Sequence, residues 1–100
     1  MKVQKPHKFD KLKSVEVFVD ELNSFYQFKV WGSALTSMFV LVKEDSEVLN
    51  QLDVGKIYKM KYYSQEESLP AEDLETEIKY VNKIDEGRFK GHYLTGLQIV

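Results

Sequence analysis

The chain contains no cysteine, so disulfides, thiolate nucleophiles, zinc ribbons and iron–sulfur clusters are excluded from its chemistry, and a reducing compartment is the simpler setting. It also lacks any apolar run approaching the roughly 20 residues of a membrane helix. The first ten residues have no hydrophobic stretch of the signal-peptide kind. The expectation is a soluble, cytoplasmic domain without membrane insertion. Neither sign of charge dominates: 14 Lys+Arg stand against 16 Asp+Glu, which argues against a polycation built for a nucleic-acid backbone. Only His7 and His92 could offer imidazole, and no spacing joins them to carboxylates, so no metal site is expected. There is no G-x-S-x-G and no Ser/His/Asp order suggesting a triad. The paired carboxylates Glu66-Glu67, Glu72-Asp73 and Asp85-Glu86 fall in predicted loops and turns, where water keeps both members ionised. No catalytic residue, no cofactor and no enzymatic activity are expected.

What the chain does have is core material. Hydrophobic residues make up 43% of its 100 positions, enough for one compact domain. Lys2, Lys5, Lys8, Lys11 and Lys13 face a single acid, Asp10, and mark residues 1–13 as a basic arm before a domain spanning 14–100. Alternation then begins. Val15, Val17 and Val19 oppose Glu16, Phe18 and Asp20 at the period of a strand. A turn at Glu21–Ser24 leads into a second strand through Trp31, interrupted at Gly32 and Ser33. Leu35–Val42, the most apolar run, predicts a strand buried on both faces. Glu47–Leu52 fits a helical turn and an anchored loop equally well.

Asp53–Lys56 carries turn chemistry, with Gly55 free to take a positive φ. Strands are predicted over Ile57–Tyr63, Leu74–Val81 and Phe89–Val100, separated by a loop at Ser64–Asp73 and a turn at Asp85–Arg88. In the last run, Gly91 and Gly96 mark bulges or bends. Six strands without a long helix predict an all-β fold, with one short helix at most. Its expected form is a small six-stranded antiparallel barrel, because closure removes exposed sheet edges.

The order of these landmarks resembles the PilZ domain, a bacterial six-stranded barrel of about this length. Leu52-Asp53-Val54-Gly55-Lys56-Ile57-Tyr58-Lys59-Met60 is similar to the family's strand entry after the central loop. Leu74–Val81 resembles the strand that follows, and Tyr93-Leu94-Thr95-Gly96-Leu97-Gln98-Ile99 its closing strand. The resemblance implies cyclic di-GMP as ligand, held by an Arg-x-x-x-Arg segment before the barrel and an Asp/Asn-x-Ser-x-x-Gly segment between the second and third strands. This chain departs from both. Its arm has no arginine, and of the second motif's positions, at Trp31, Ser33 and Thr36, only Ser33 matches. Lysine lacks the planar fork and stacking face of arginine. Losing several charge-assisted hydrogen bonds at about 1.5–3 kcal/mol each weakens such binding by orders of magnitude.

The expected function is therefore a non-catalytic PilZ-like binding module for a protein partner, in bacterial signalling or motility. Its candidate contact residues are Lys8, Lys11 and Lys13 in the arm with Trp31, Ser33 and Thr36 at the turn. A second reading retains cyclic di-GMP in a degenerate site of Lys8, Lys11 and Ser33. A third is a small barrel that binds single-stranded nucleic acid. The tyrosines Tyr58, Tyr62, Tyr63, Tyr80 and Tyr93, with Phe89, could form an aromatic platform; aromatics on alternating strands more often pack in cores or across strands.

Overall fold

The computed structural model describes residues 12–34, 37–66 and 68–100. It consists of β1 (Leu12–Val19), β2 (Ser24–Lys29), β3 (Trp31–Ala34), β4 (Ser37–Lys43), β5 (Ile57–Ser64), β6 (Glu72–Lys83) and β7 (His92–Ile99). Two 3-10 turns, Asp20–Leu22 and Glu47–Gln51, complete the regular structure. All pairings are antiparallel, in the order β2-β1-β5-β6-β7-β4-β3.

The expected closed six-stranded barrel gives way to one seven-stranded sheet curled into a half-barrel. The reason lies at Val30. The second predicted strand is split there into β2 and β3, which occupy opposite edges of the sheet. The chain thus passes from one edge to the other through a single residue, whose N–H donates to the Lys13 carbonyl at 3.1 Å. So short a connection forces the sheet to curl. It remains open because β2 pairs only with β1, while β3 pairs only with β4 and shifts register between Trp31 and Ser33. Gly32, at φ +42°, absorbs that irregularity in a region of backbone space that glycine enters without steric cost.

Alternation selects the core. Val15, Val17 and Val19 of β1, Met38, Val40 and Val42 of β4, Met60 and Tyr62 of β5, Ile78 of β6 and Leu97 of β7 are all buried on the concave side. Val48 and Leu52 close one end from the turn at Glu47–Gln51, and the Tyr58 hydroxyl donates to the Gln51 carbonyl. The β4 run is not buried on both faces as expected: Phe39 and Leu41 on its convex side are only half-buried. One polar pair lies within the core, the Tyr62 hydroxyl 2.6 Å from Thr76 Oγ1, which in turn donates to the Leu74 carbonyl at 3.2 Å.

Between Ile78 and Tyr80 the β6–β7 register shifts, with Ile78 opposite Leu97 and Tyr80 opposite Gly96. Lys79 is the additional residue of a β-bulge, which leaves an unpaired residue and resets the alternation. Tyr80 therefore leaves the phase of Leu74, Thr76 and Ile78 and lies on the convex face, 38% exposed, while Val81 packs against the core.

Candidate functional site

The convex face of β3, β4, β7 and β6 is where chemistry-bearing side chains converge. Register places Trp31 opposite Phe39, Phe39 opposite Gly96, and Gly96 opposite Tyr80. Gly96 is needed there for space: a Cβ added to it would lie 2.2 Å from Tyr80 Cε2. The tyrosine ring therefore rests on bare backbone, as aromatics opposite a strand glycine can. Phe39 does the same beside Gly32, where an added Cβ would meet Phe39 Cε2 at 2.7 Å. Together these rings border a shallow groove of about 430 Å³, with Gly32 in its lining and Ser37, Lys79 and Gln98 at its polar positions. The Lys79 ammonium lies 3.8 Å from Glu77 Oε2.

Trp31 belongs to an adjoining cluster. The Lys29 ammonium sits 4.2 Å above its ring, and Phe89 meets it edge-on at 5.7 Å between centroids. Phe89 also contacts His92 at 5.8 Å and carries the Arg88 guanidinium at 5.6 Å. Backbone bonds from Ile84 to the His92 carbonyl and from Gly91 to the Ile84 carbonyl fix the loop that presents Phe89. The tryptophan is consequently half-buried and held in place from two sides.

Of the residues singled out in the sequence, Lys8, Lys11 and Thr36 lie outside the described residues. Lys13 is exposed near the start of β1, and its carbonyl accepts the Val30 N–H at the corner leading to Trp31. Ser33 lies on β3, opposite Met38. The fold thus brings Lys13 and Trp31 to one corner, with β3 leading from it to the groove at Gly32. Sequence reasoning missed Phe39 and Lys79. Gly96 was the available signal, since a strand glycine marks close approach by another group.

The aromatic platform divides between faces: Tyr58 and Tyr62 pack with the core, whereas Tyr80 and Phe89 belong to the convex cluster. Burial pushes the Tyr62 hydroxyl up to about 12, with the Thr76 hydrogen bond pulling the other way. Tyr63 donates to Glu16 Oε1 at 3.1 Å, and that bond raises its pKa. A phenol is neutral at physiological pH in any case, so both shifts only extend that form to higher pH. Among the described residues no three His, Cys, Asp or Glu side chains are grouped to hold a metal, and no helix is long and apolar enough to cross a membrane. Compared with known proteins, the chain matches no family model, no curated protein and no solved structure.

Proposed function

We propose that this chain is a non-catalytic binding module that engages a protein partner through the groove between Phe39 and Tyr80. The observation that carries the proposal is the groove itself: two aromatic rings seated beside glycines, with exposed cations at Lys79 and Lys29. Concave apolar sites with a few polar groups are the usual places for recognition, and aromatic anchors dominate binding energy. Kinship with PilZ domains and a role in signalling or motility belong to the same proposal and rest on the sequence landmarks.

A pull-down with the whole chain, repeated with Tyr80→Ala, tests it. A partner captured by the native protein and lost with the variant supports the reading; capture that ignores Tyr80 removes the groove from it. Calorimetry with cyclic di-GMP gives the opposing outcome. Micromolar or tighter binding abolished by Ser33→Ala would replace the protein partner by the dinucleotide.

A further inference from the structure

The curled sheet leaves a seam between β2 and β4, and the backbone bonds around it fix the phase of both lips. In an antiparallel ladder, successive residues direct their N–H and C=O groups alternately to one neighbouring strand and to the other. Val30 donates its N–H to the Lys13 carbonyl, so Phe28, Tyr26 and Ser24 face β1 with it, and Lys29, Gln27 and Phe25 turn their backbone groups away. On β4 the phase follows from His92. Its N–H donates to the Phe89 carbonyl and its C=O accepts from Ile84, both within the β6–β7 hairpin, so it has no backbone group left for Lys43 opposite it. Lys43, Leu41 and Phe39 therefore point their groups away from β7. Phe39 meets Trp31 on that side. Among the described residues, no strand pairs with Leu41 or Lys43 on the side away from β7, nor with Lys29, Gln27 or Phe25 on the side away from β1.

The two lips match. Counting on from Trp31 opposite Phe39, Lys29 falls opposite Leu41 and Gln27 opposite Lys43, and all four turn backbone groups towards the seam. Their side chains agree as well: Lys29, Gln27, Leu41 and Lys43 share the convex face, and Phe28 and Tyr26 the concave one with Val40 and Val42. A slip of one residue would spoil both agreements. The seam is also held at its two ends, by Trp31 against Phe39 and by the contact between the turns Asp20–Leu22 and Glu47–Gln51. We propose that β2 is a strap poised to close on β4, extending the ladder from Trp31–Phe39 through Lys29–Leu41 to Gln27–Lys43. Closing breaks no existing ladder, because β1 and β7 pair with the opposite sides of the two strands. It further covers Tyr26 and Phe28, which are half-buried in the open form. It is opposed by Lys29 and Lys43, which become diagonal neighbours of like charge on the convex face. Phe39 ends the seam and also borders the groove, so zipping fixes the strand that carries one of the groove's two rings.

Because the chain has no cysteine, a disulfide trap in the full chain is the test. Gln27→Cys with Lys43→Cys, both at exposed positions, places two thiols at the outer zipped pair. There the Cα atoms come to about 5.5 Å, inside the roughly 4.4–6.8 Å that a disulfide spans. Phe25→Cys with Lys43→Cys is the control, with the same loss of Lys43 but at diagonal positions about 7–8 Å apart. Under one mild oxidant the matched pair should form its intramolecular disulfide at least about tenfold faster than the control. In the oxidised matched variant the amides of Lys29 and Leu41 lie between the new link and Trp31–Phe39. They should exchange with solvent at least about tenfold more slowly than after reduction. Circular dichroism checks that the variants remain folded, and Lys29→Cys with Leu41→Cys repeats the trap one pair nearer the corner should the first not fold. Equal cross-linking of matched and control pairs would overturn the strap. So would a disulfide that leaves the amides inside it exchanging as fast as in the reduced chain.

Discussion

Thr95 is fully buried on β7 and its hydroxyl has no hydrogen-bond partner. A buried hydroxyl in that position costs about 1–3 kcal/mol of desolvation that nothing returns. Valine has nearly the same shape, so Thr95→Val should leave stability unchanged or raise it by about 1 kcal/mol, read as a higher midpoint in urea denaturation; a clear loss would show that the hydroxyl is satisfied. Tyr62 behaves in the opposite way, because its hydroxyl is paired with Thr76. Its folded-state pKa, about 12 against an ordinary 10, means that the native state holds the proton more tightly than the unfolded chain. The associated stability is whole below pH 10 and disappears as pH climbs towards 12, amounting to about 2–3 kcal/mol over that window. Comparing denaturation at pH 9 and pH 12 should therefore show a steeper loss for the native chain than for Tyr62→Phe. Parallel losses would place the titration elsewhere.

The bulge in β6 makes a sharper prediction at the level of the element. Lys79 is the additional residue between Ile78 and Tyr80, so deleting it leaves Tyr80 opposite Gly96 and Val81 still facing the core. Deleting Glu77 instead moves Ile78 outward, opposite Gln98, and brings Lys79 to the core face opposite Leu97, since a one-residue slip turns a strand residue to the other face. Thermal denaturation should show a cooperative transition for the Lys79 deletion and none for the Glu77 deletion; equal damage from both would mean that the bulge is not the additional residue. The same feature marks where the sequence became illegible. Val15, Val17 and Val19, and likewise Met60 and Tyr62, reveal their buried face through alternation, because one water-facing side chain follows each inward one. Alternation carries no sign of where a bulge resets the phase, so on its own it puts Tyr80 in phase with Ile78. Nor does it register the change of partner at Val30, where an unbroken run of strand-forming residues leaves β1 for β4. The groove was hidden for that reason: it assembles from β3, β4, β6 and β7, and only register, not spacing along the chain, brings Phe39, Gly96 and Tyr80 into one row.

For the molecule as a whole, the consequence of an open sheet is uneven stability. β5, β6 and β7 are each paired on both sides, and so are β1 and β4, whereas β2 and β3 are the two edges. Opening an edge strand breaks one ladder; opening β6 breaks two and exposes Ile78, Thr76 and Tyr62 to water, at a cost of several kcal/mol from the isoleucine alone. The two edges are also consecutive in the chain and share the Val30 corner. If β2 lifts from β1, the Val30–Lys13 bond that anchors the start of β3 is lost with it. The edges should therefore open as one unit, in the manner of a local cooperative fold element. Native-state hydrogen exchange tests this directly. Amides of β6 and its neighbours should exchange only by global unfolding, and those of β2 and β3 through a shared opening of lower free energy, with similar denaturant dependence on both sides of Val30. Edge amides as slow as those of β6 would mean that the curled sheet behaves as a closed barrel, and independent openings of β2 and β3 would mean that Val30 does not tie the two edges together.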